Sequence, residues 1–419
     1  MTRQSRRILF IWAVAVFICL SVLVLTLAFG FRYDFQNNRL VKTGSLVIKS
    51  NTEAQVFIND KLEGHTSFLS GSFSKKQLLP GIYTVRVQRE GYFSWQKEIE
   101  VAEGLVSDFS RIVLFSQGQI ERTLNDQADI LFVNRALHKT AYLGKDALSF
   151  YEMDSNQLIY KSESLLFDPA TLGIIWGLNG KEALAFDTSR TVYFDLNKKT
   201  FRDIGSPKPY HLGTAALNNG RIYFLKPSPK QSVGGKNELI SFSVDNLKSI
   251  VLSKNLASFL AVGNEVYAVT NPPRQLLKMG WNGENRQILA ELGSFVKPVI
   301  KQIESKNGSY YALIGSHLYS LKNGELILLS NNAEGFAVSP DNSILGWRNR
   351  HEFWIEWLKD TEYQPLKKAG EREMVASVSE NIRGLSWYKN SNYAFLELEK
   401  GLEVIEIDSR DAHNRYTIK

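Results

Sequence analysis

The sequence predicts an all-β protein: a small β-sandwich, then a roughly seven-bladed β-propeller, both carried behind one N-terminal transmembrane helix. Three observations predict it. Ile8 to Phe31 is a run of 24 residues without a charge. Residues 44–115 alternate apolar and polar side chains in short runs bounded by turn residues. From residue 116 to 419 a strand-turn-strand unit recurs at a mean interval of about 42 residues, the size of one four-stranded blade.

In the apolar run only Ser21, Thr26 and Gly30 interrupt bulky apolar residues and alanine. A helix of that length reaches roughly 36 Å, enough for the ~30 Å hydrocarbon core of a bilayer. A cleaved signal peptide is the main alternative, and Ala28 and Gly30 form a small-x-small site. Its apolar region normally runs to about 7–15 residues, so the length favours a retained anchor. Arg3, Arg6 and Arg7 before the span are balanced by Arg32, Arg39 and Lys42 after it. The compact basic tail, residues 1–7, favours a cytoplasmic N-terminus with residues 32–419 outside the cell membrane.

The formal charge of +7 falls to +4 without the tail arginines and forms no concentrated run. Nucleic acid is therefore not an expected partner, because phosphate affinity needs a clustered basic face. Cys19, the single cysteine, lies inside the apolar run, which excludes a disulfide or a cysteine metal site in the exported part. Residues 32–43 read as a short polar spacer leaving the membrane.

Alternation then begins. Ser45 to Ser50 places Leu46 and Ile48 on one face, and Ala54 to Asn59 does the same with Val56 and Ile58, which reads as a hairpin or adjacent strands. Ser70 to Gln77 reads as a polar loop. Pro80-Gly81 sets a turn before Tyr83, Val85 and Val87; Trp95, Ile99 and Val101 mark another strand, and Ile112 and Leu114 a last one. The sum, residues 44–115, is a small antiparallel sandwich. Leu78, Pro80, Gly81, Tyr83, Val85 and Val87, followed by Gly91, Tyr92 and Trp95, give L-x-P-G-x-Y-x-V-x-V and G-Y-x-x-W. This resembles the second half of the PEGA domain, a β-module of microbial surface proteins; residues 50–56 lack the proline and glycine of its first half. The resemblance implies a spacer or binding platform near the membrane and no catalytic residues. Tyr92, Phe93 and Trp95 are either a ligand shelf or, more simply, sandwich packing.

The recurring units begin near Leu148, Thr191, Leu239, Leu276, Leu318, Phe353 and Leu402, and each is preceded by a second strand and by a smaller, more apolar run. Residues 116–419 therefore read as a propeller, with six or eight blades left open by the run from Gln119 to Asn125. Ser339-Pro340-Asp341-Asn342 resembles the S-P-D-G turn of periplasmic TolB and WD40-like propeller repeats. Pro227 to Lys236 inserts about ten residues between two strands of the third unit, as a binding loop or as tolerated length.

Chemistry is sparse. Histidines 65, 138, 211, 317, 351 and 413 stand singly, so no metal or other cofactor is expected. Gly234-Gly235-Lys236-Asn237 lacks the first glycine and the hydroxyl of a phosphate loop. No G-x-S-x-G nucleophile elbow is present. Asp195, Asp245, Asp341 and Asp408 occupy turn positions. Trp347, Trp354, Trp357 and Trp387 crowd the last two units, where alternation explains them as blade packing and sugar stacking is the minor option. No catalytic, cofactor or metal residue is assigned. The expected function is a membrane-anchored extracytoplasmic binding or scaffolding protein that recognises a protein or a cell-envelope glycan. The alternative is a propeller hydrolase or lyase acting on envelope glycans or peptides, with carboxylates from different blades meeting at the axis.

Overall fold

The structure, a computed structural model, describes residues 3–35, 38–118, 130–134, 137–144, 147–153, 155, 157–162, 167–205, 215–227, 237–293, 299–306, 308–322 and 325–418, with side chains from residue 10 onward. Its one described helix, α1 (Arg3–Ala28), has an apolar stretch of 19 residues, Phe10–Ala28, none of it buried against the protein. That length is about 28 Å, the thickness of a bilayer core, and the exposure rules out a core helix. The helix ends three residues short of the uncharged run. Gly30 at φ +82° ends it, with Phe29 N and Gly30 N donating back to Leu25 O and Leu27 O at 2.9 and 3.1 Å.

Phe31 is therefore in a strand, and the expected spacer is a hairpin, β1 (Phe31–Asp34) with β2 (Arg39–Lys42). The stretch looks polar on average, yet it alternates. Asp34 and Val41 turn inward and are buried, while Tyr33 and Leu40, paired directly across, face out.

The sandwich has seven strands: β3 (Gly44–Ser50), β4 (Gln55–Ile58), β5 (Lys61–His65), β6 (Ser72–Leu78), β7 (Gly81–Gln88), β8 (Trp95–Val101) and β9 (Val106–Ile112). They form two sheets, ordered β6-β3-β9 and β5-β4-β7-β8. Three expectations are corrected. β3 and β4 are not a hairpin, because they belong to different sheets; the polar loop is strand β6; and β3 pairs with β9 in parallel, so the sandwich is mixed. The core between the sheets is built from the alternating positions read in the sequence, Leu46, Ile48, Val56, Val85, Val87, Trp95, Ile99, Ile112 and Leu114, joined by Phe109. Burying such a face is what makes a module of this size stable.

The rest of the described chain is a series of antiparallel meander sheets. Four-stranded ones run Ile130–Asn134 to Leu158–Lys161, Gly173–Trp176 to Thr200–Asp203, Ile300–Lys306 to Glu325–Ser330, Gly335–Val338 to Arg372–Ser377, and Gly384–Trp387 to Arg415–Ile418. Between the second and third of these lies a seven-stranded sheet, Ala216–Asn218 to Gln287–Glu291. Its fourth strand, the 14-residue Ser249–Val262, pairs with Asn237–Ser243 on one side and with Glu265–Thr270 on the other. Each of the seven recurring units coincides with a third and fourth strand, so the four-strand period is present even where two units share one long strand. These are sheets of the kind that form WD40-like propeller blades.

Successive sheets are stitched together. Leu178 N donates to Leu217 O at 3.1 Å, Ile300 N to Ser258 Oγ at 3.1 Å, and the Gln302 amide brackets Phe336 through its nitrogen and oxygen, at 2.7 and 3.3 Å. Residues 1–120 together with 337–419 form one compact unit, and residues 121–336 form a second. Gln119 to Asn125 and, beyond Pro227, the insertion to Lys236 lie outside the described residues.

Candidate functional site

The most heavily built feature of the first unit is a joint between the sandwich and the C-terminal sheet. Lys97 sits at an inward position of β8, between Trp95 and Ile99, and is 1% exposed. A lysine is tolerated there only if its ammonium is fully partnered. The turn after the strand Gly401–Glu406 supplies the partners: Nζ donates to the carbonyls of Asp408, Arg410 and Ala412 at 2.7, 2.8 and 2.7 Å, and lies 3.4 Å from Glu406 Oε2. Glu406 in turn accepts from Trp95 Nε1 at 2.9 Å and from Asn414 Nδ2 at 2.8 Å. Burial raises the Glu406 carboxyl above its ordinary value, against the lowering effects of Lys97, Trp95 and Asn414.

The contact continues on both sides of this pair. Arg410 lies over the Phe109 ring at 3.6 Å and clasps Asp408, and Arg111 lies over the Tyr363 ring at 3.2 Å. Val113 N donates to the fully buried Tyr393 hydroxyl at 3.0 Å, and Phe115 packs among Tyr388, Tyr393, Phe395 and Tyr416 with centroids 5.3–6.0 Å apart. Lys97 and Glu406 went unnoticed in the sequence. The signal was there in WQKEIEV, a strand that alternates cleanly except for one lysine among the inward apolar positions.

His413 belongs to the same turn, and Nδ1 donates to Glu406 O at 2.8 Å. Burial holds its pKa below the ordinary value, opposed by Glu406 O and by the charges of Glu373 and Asp408, with Lys97 adding to the lowering. The neutral ring is therefore favoured in the folded state. Stability from this group is complete above the unfolded value of 6.5 and is lost as pH falls toward the depressed folded value. The raised Glu406 carboxyl acts in the opposite sense, so the imidazole is isolated by comparison with His413→Asn. The melting temperature of the wild type should fall relative to that variant between about pH 7.5 and 5.5; a constant difference would show that the ring is solvated.

The other predicted residues mostly serve packing. Trp95 is completely buried, Tyr92 packs against the sandwich core half-buried, and Phe93 lies tilted against Tyr416 at 5.5 Å, so the three rings do not form one exposed shelf. Trp347 and Trp354 stack at 6.3 Å, Trp357 is buried, and Trp387 Nε1 donates to Ala337 O at 2.9 Å. Asp341 accepts from the Ser339 and Ser343 hydroxyls at 2.8 and 2.6 Å inside the S-P-D-N turn; burial would raise its pKa, but these bonds hold it down. Asp195 caps its own turn through Asn197 N and Lys198 N, and Asp408 is held by Arg410, while Asp245 stands exposed. His65, His138 and His351 are exposed, His317 stacks on Tyr319 at 6.1 Å, and His211 lies outside the described residues. Among the described residues no group of three or more His, Cys, Asp or Glu side chains is placed to hold a metal.

Among the described residues of the second unit are a polar cleft and an apolar recess. The cleft, of about 460 Å³, is lined by Asn179, Lys181, Asp195, Lys198, Arg202 and Asp245. At its base the buried Glu182 carboxylate accepts from Asn219 N, Gly220 N and the Tyr193 hydroxyl at 2.6, 2.8 and 2.9 Å. The recess, of about 380 Å³, lies along the first strands of successive blade-like sheets, with Trp176, Leu217, Phe259, Leu260 and Ile300 on its walls and Lys301 beside them.

No protein-family model matches the chain, and no curated protein matches it. Among solved structures it is similar to the C-terminal WD40 domain of Sif2, with 11% identity and a TM-score of 0.44 over 78% of this chain and 90% of that one. It is also similar to Kluyvelomyces marxianus Hsv2, at 11% identity and a TM-score of 0.46 over 70% and 98% of the two chains. A third is the WD40 domain of SCAP from fission yeast, at 12% identity and a TM-score of 0.39 over 70% and 86%.

Proposed function

We propose that this chain is a membrane-anchored, extracytoplasmic binding or scaffolding protein: a PEGA-like sandwich beside the bilayer carries a propeller of about seven blades that recognises a protein or a cell-envelope glycan. The observation that carries this reading is the joint around Lys97 and Glu406. A tether that needs only reach is served by a flexible linker. Here a completely buried ammonium, a buried carboxylate and an aromatic cluster fix the sandwich to the C-terminal sheet, which supports a module that holds that sheet at a set position rather than on a loose tether.

In this reading the chain is not an enzyme, and the side chains of Asp195, Asp341 and Asp408 are occupied in turns rather than free to act on a substrate. The recess along the first strands is the proposed recognition surface. Alkaline washing of membranes should leave the full-length chain in the pellet, and external protease should reach residues beyond the anchor in cells that lack an outer barrier. A photo-crosslinker at Leu260, in the recess, should give one recurrent adduct with an envelope component, while the same group at exposed Lys198 should not. Release by alkali would overturn the anchor, and no specific adduct from Leu260 would overturn the recognition surface.

A further inference from the structure

We propose that the pole of the sandwich at which α1 enters is itself a lipid-binding surface, which seats the module in the headgroup layer rather than leaving it suspended above. The inference rests on the reading of α1 as a membrane span. Three segments meet at that pole. The first is the hairpin β1–β2, whose outward face carries Tyr33 and Leu40, with the Phe35 ring edge-on to Tyr33 at 5.0 Å. The second is the turn into β7, with Ile82 opposite Glu100. The third is the turn between β8 and β9, where Leu105 O accepts from Ser45 N at 3.0 Å.

The hairpin is held onto this end of the sandwich. Arg32 donates to Gln77 Oε1 at 2.7 Å, Thr43 N donates to Gly30 O at 2.8 Å, and the Lys42 side chain lies so close to Gly104 that a Cβ there would meet it at 3.0 Å. Among the described residues the apolar side chains on the pole are left largely uncovered: Phe35 is 82% exposed, Ile82 71%, Leu105 61%, Leu40 55% and Tyr33 47%.

A soluble module rarely groups large apolar side chains in this way without a partner. Position names the partner. Phe31 follows the end of α1 by three residues, so the hairpin emerges where a bilayer gives way to water. Aromatic rings in that layer bury their faces while their polar tips stay wet, and Arg and Lys side chains there reach toward phosphate. The composition fits: Tyr33 and Phe35 stand beside Arg39 and Lys42. The surface continues the membrane-spanning helix, and its chemistry is that of an interfacial belt. The consequence is orientation. Because β8 is locked to the C-terminal sheet through Lys97, seating the sandwich also sets the direction in which that sheet faces the lipid.

The test uses the full chain in vesicles of phosphatidylcholine and phosphatidylglycerol. Cys19→Ser removes the native thiol, and single cysteines at Val16, Phe35, Ile82, Leu105 and Phe68 carry a nitroxide. The readout is the ratio of collision with oxygen to collision with a water-soluble nickel complex. Phe68, which is 82% exposed, marks the far pole, beyond the Ser72 end of β6. The expected result is a ratio several-fold higher at Val16, Phe35 and Leu105 than at Phe68. Ile82→Cys gives a second reading of the same pole should either of the other two variants fold poorly. A high ratio at Val16 with Phe35, Ile82 and Leu105 as aqueous as Phe68 would overturn the seating and leave the anchor standing. A low ratio at Val16 would overturn the anchor, and the seating with it. A high ratio at Phe68 would place the far pole in lipid and overturn the assignment.

Discussion

Lys97→Met should destabilise the unit formed by residues 1–120 and 337–419 by about 3–5 kcal/mol, the loss that follows when one partner of a buried ion pair is removed. The side chain has nearly the same length and fills the same space, so the loss is not a cavity effect. What remains is a buried carboxylate without its cation, and three carbonyls, of Asp408, Arg410 and Ala412, that have lost a charged donor. Glu406 would take up a proton, a change that its raised pKa already favours. Glu406→Gln should cost less, because the ammonium keeps its three carbonyl acceptors and the new amide oxygen still accepts from Trp95. Combining the two should cost less than their sum, since neither charge is then left alone. Denaturant melts of the full chain measure all three, and a Lys97→Met loss below about 1 kcal/mol would mean that the ammonium is hydrated and the joint is open.

Trp95→Ala should cost a further amount of the same size, about 3–5 kcal/mol, for a different reason. The indole is completely buried between the two sheets of the sandwich, with its ring 5.3 Å from Phe109, and little around it is free to collapse into the space. It also donates to Glu406, 311 residues away, so the substitution reaches the joint as well as the core. Trp95→Phe separates the two effects: most of the apolar volume stays and the donor is lost, for an expected cost of about 1–3 kcal/mol. Trp95→Phe and Glu406→Gln should then couple by more than about 0.5 kcal/mol, because both act on one hydrogen bond. Strict additivity would show that the indole stabilises the sandwich alone.

How much was legible in the sequence depends on the range of the interaction that fixed each feature. The apolar helix, the alternating strands and the recurrence of about 42 residues are local, because side-chain direction along a helix or strand is set by neighbouring residues alone. For that reason the second strands KEALAFD and NEVYAVT, and the turn at Ser339–Asn342, fall where the pattern places them. Average polarity hides the alternation in FRYD and RLVK, and it hides a strand in Ser70 to Gln77, whose residues from Ser72 on pair with β3.

By itself the sequence determined an apolar N-terminal helix long enough to span a bilayer, an all-β chain after it and a four-strand period, since each follows from hydrophobic burial counted along a few residues. Only the tertiary structure decided that β3 and β4 lie in different sheets, that β3 takes a parallel partner, and that Lys97 meets Glu406. Those outcomes depend on which distant surfaces close on each other. An inward lysine is ruinous alone and stable beside three carbonyls and a carboxylate, and periodicity carries no record of which turn, some three hundred residues later, will provide them.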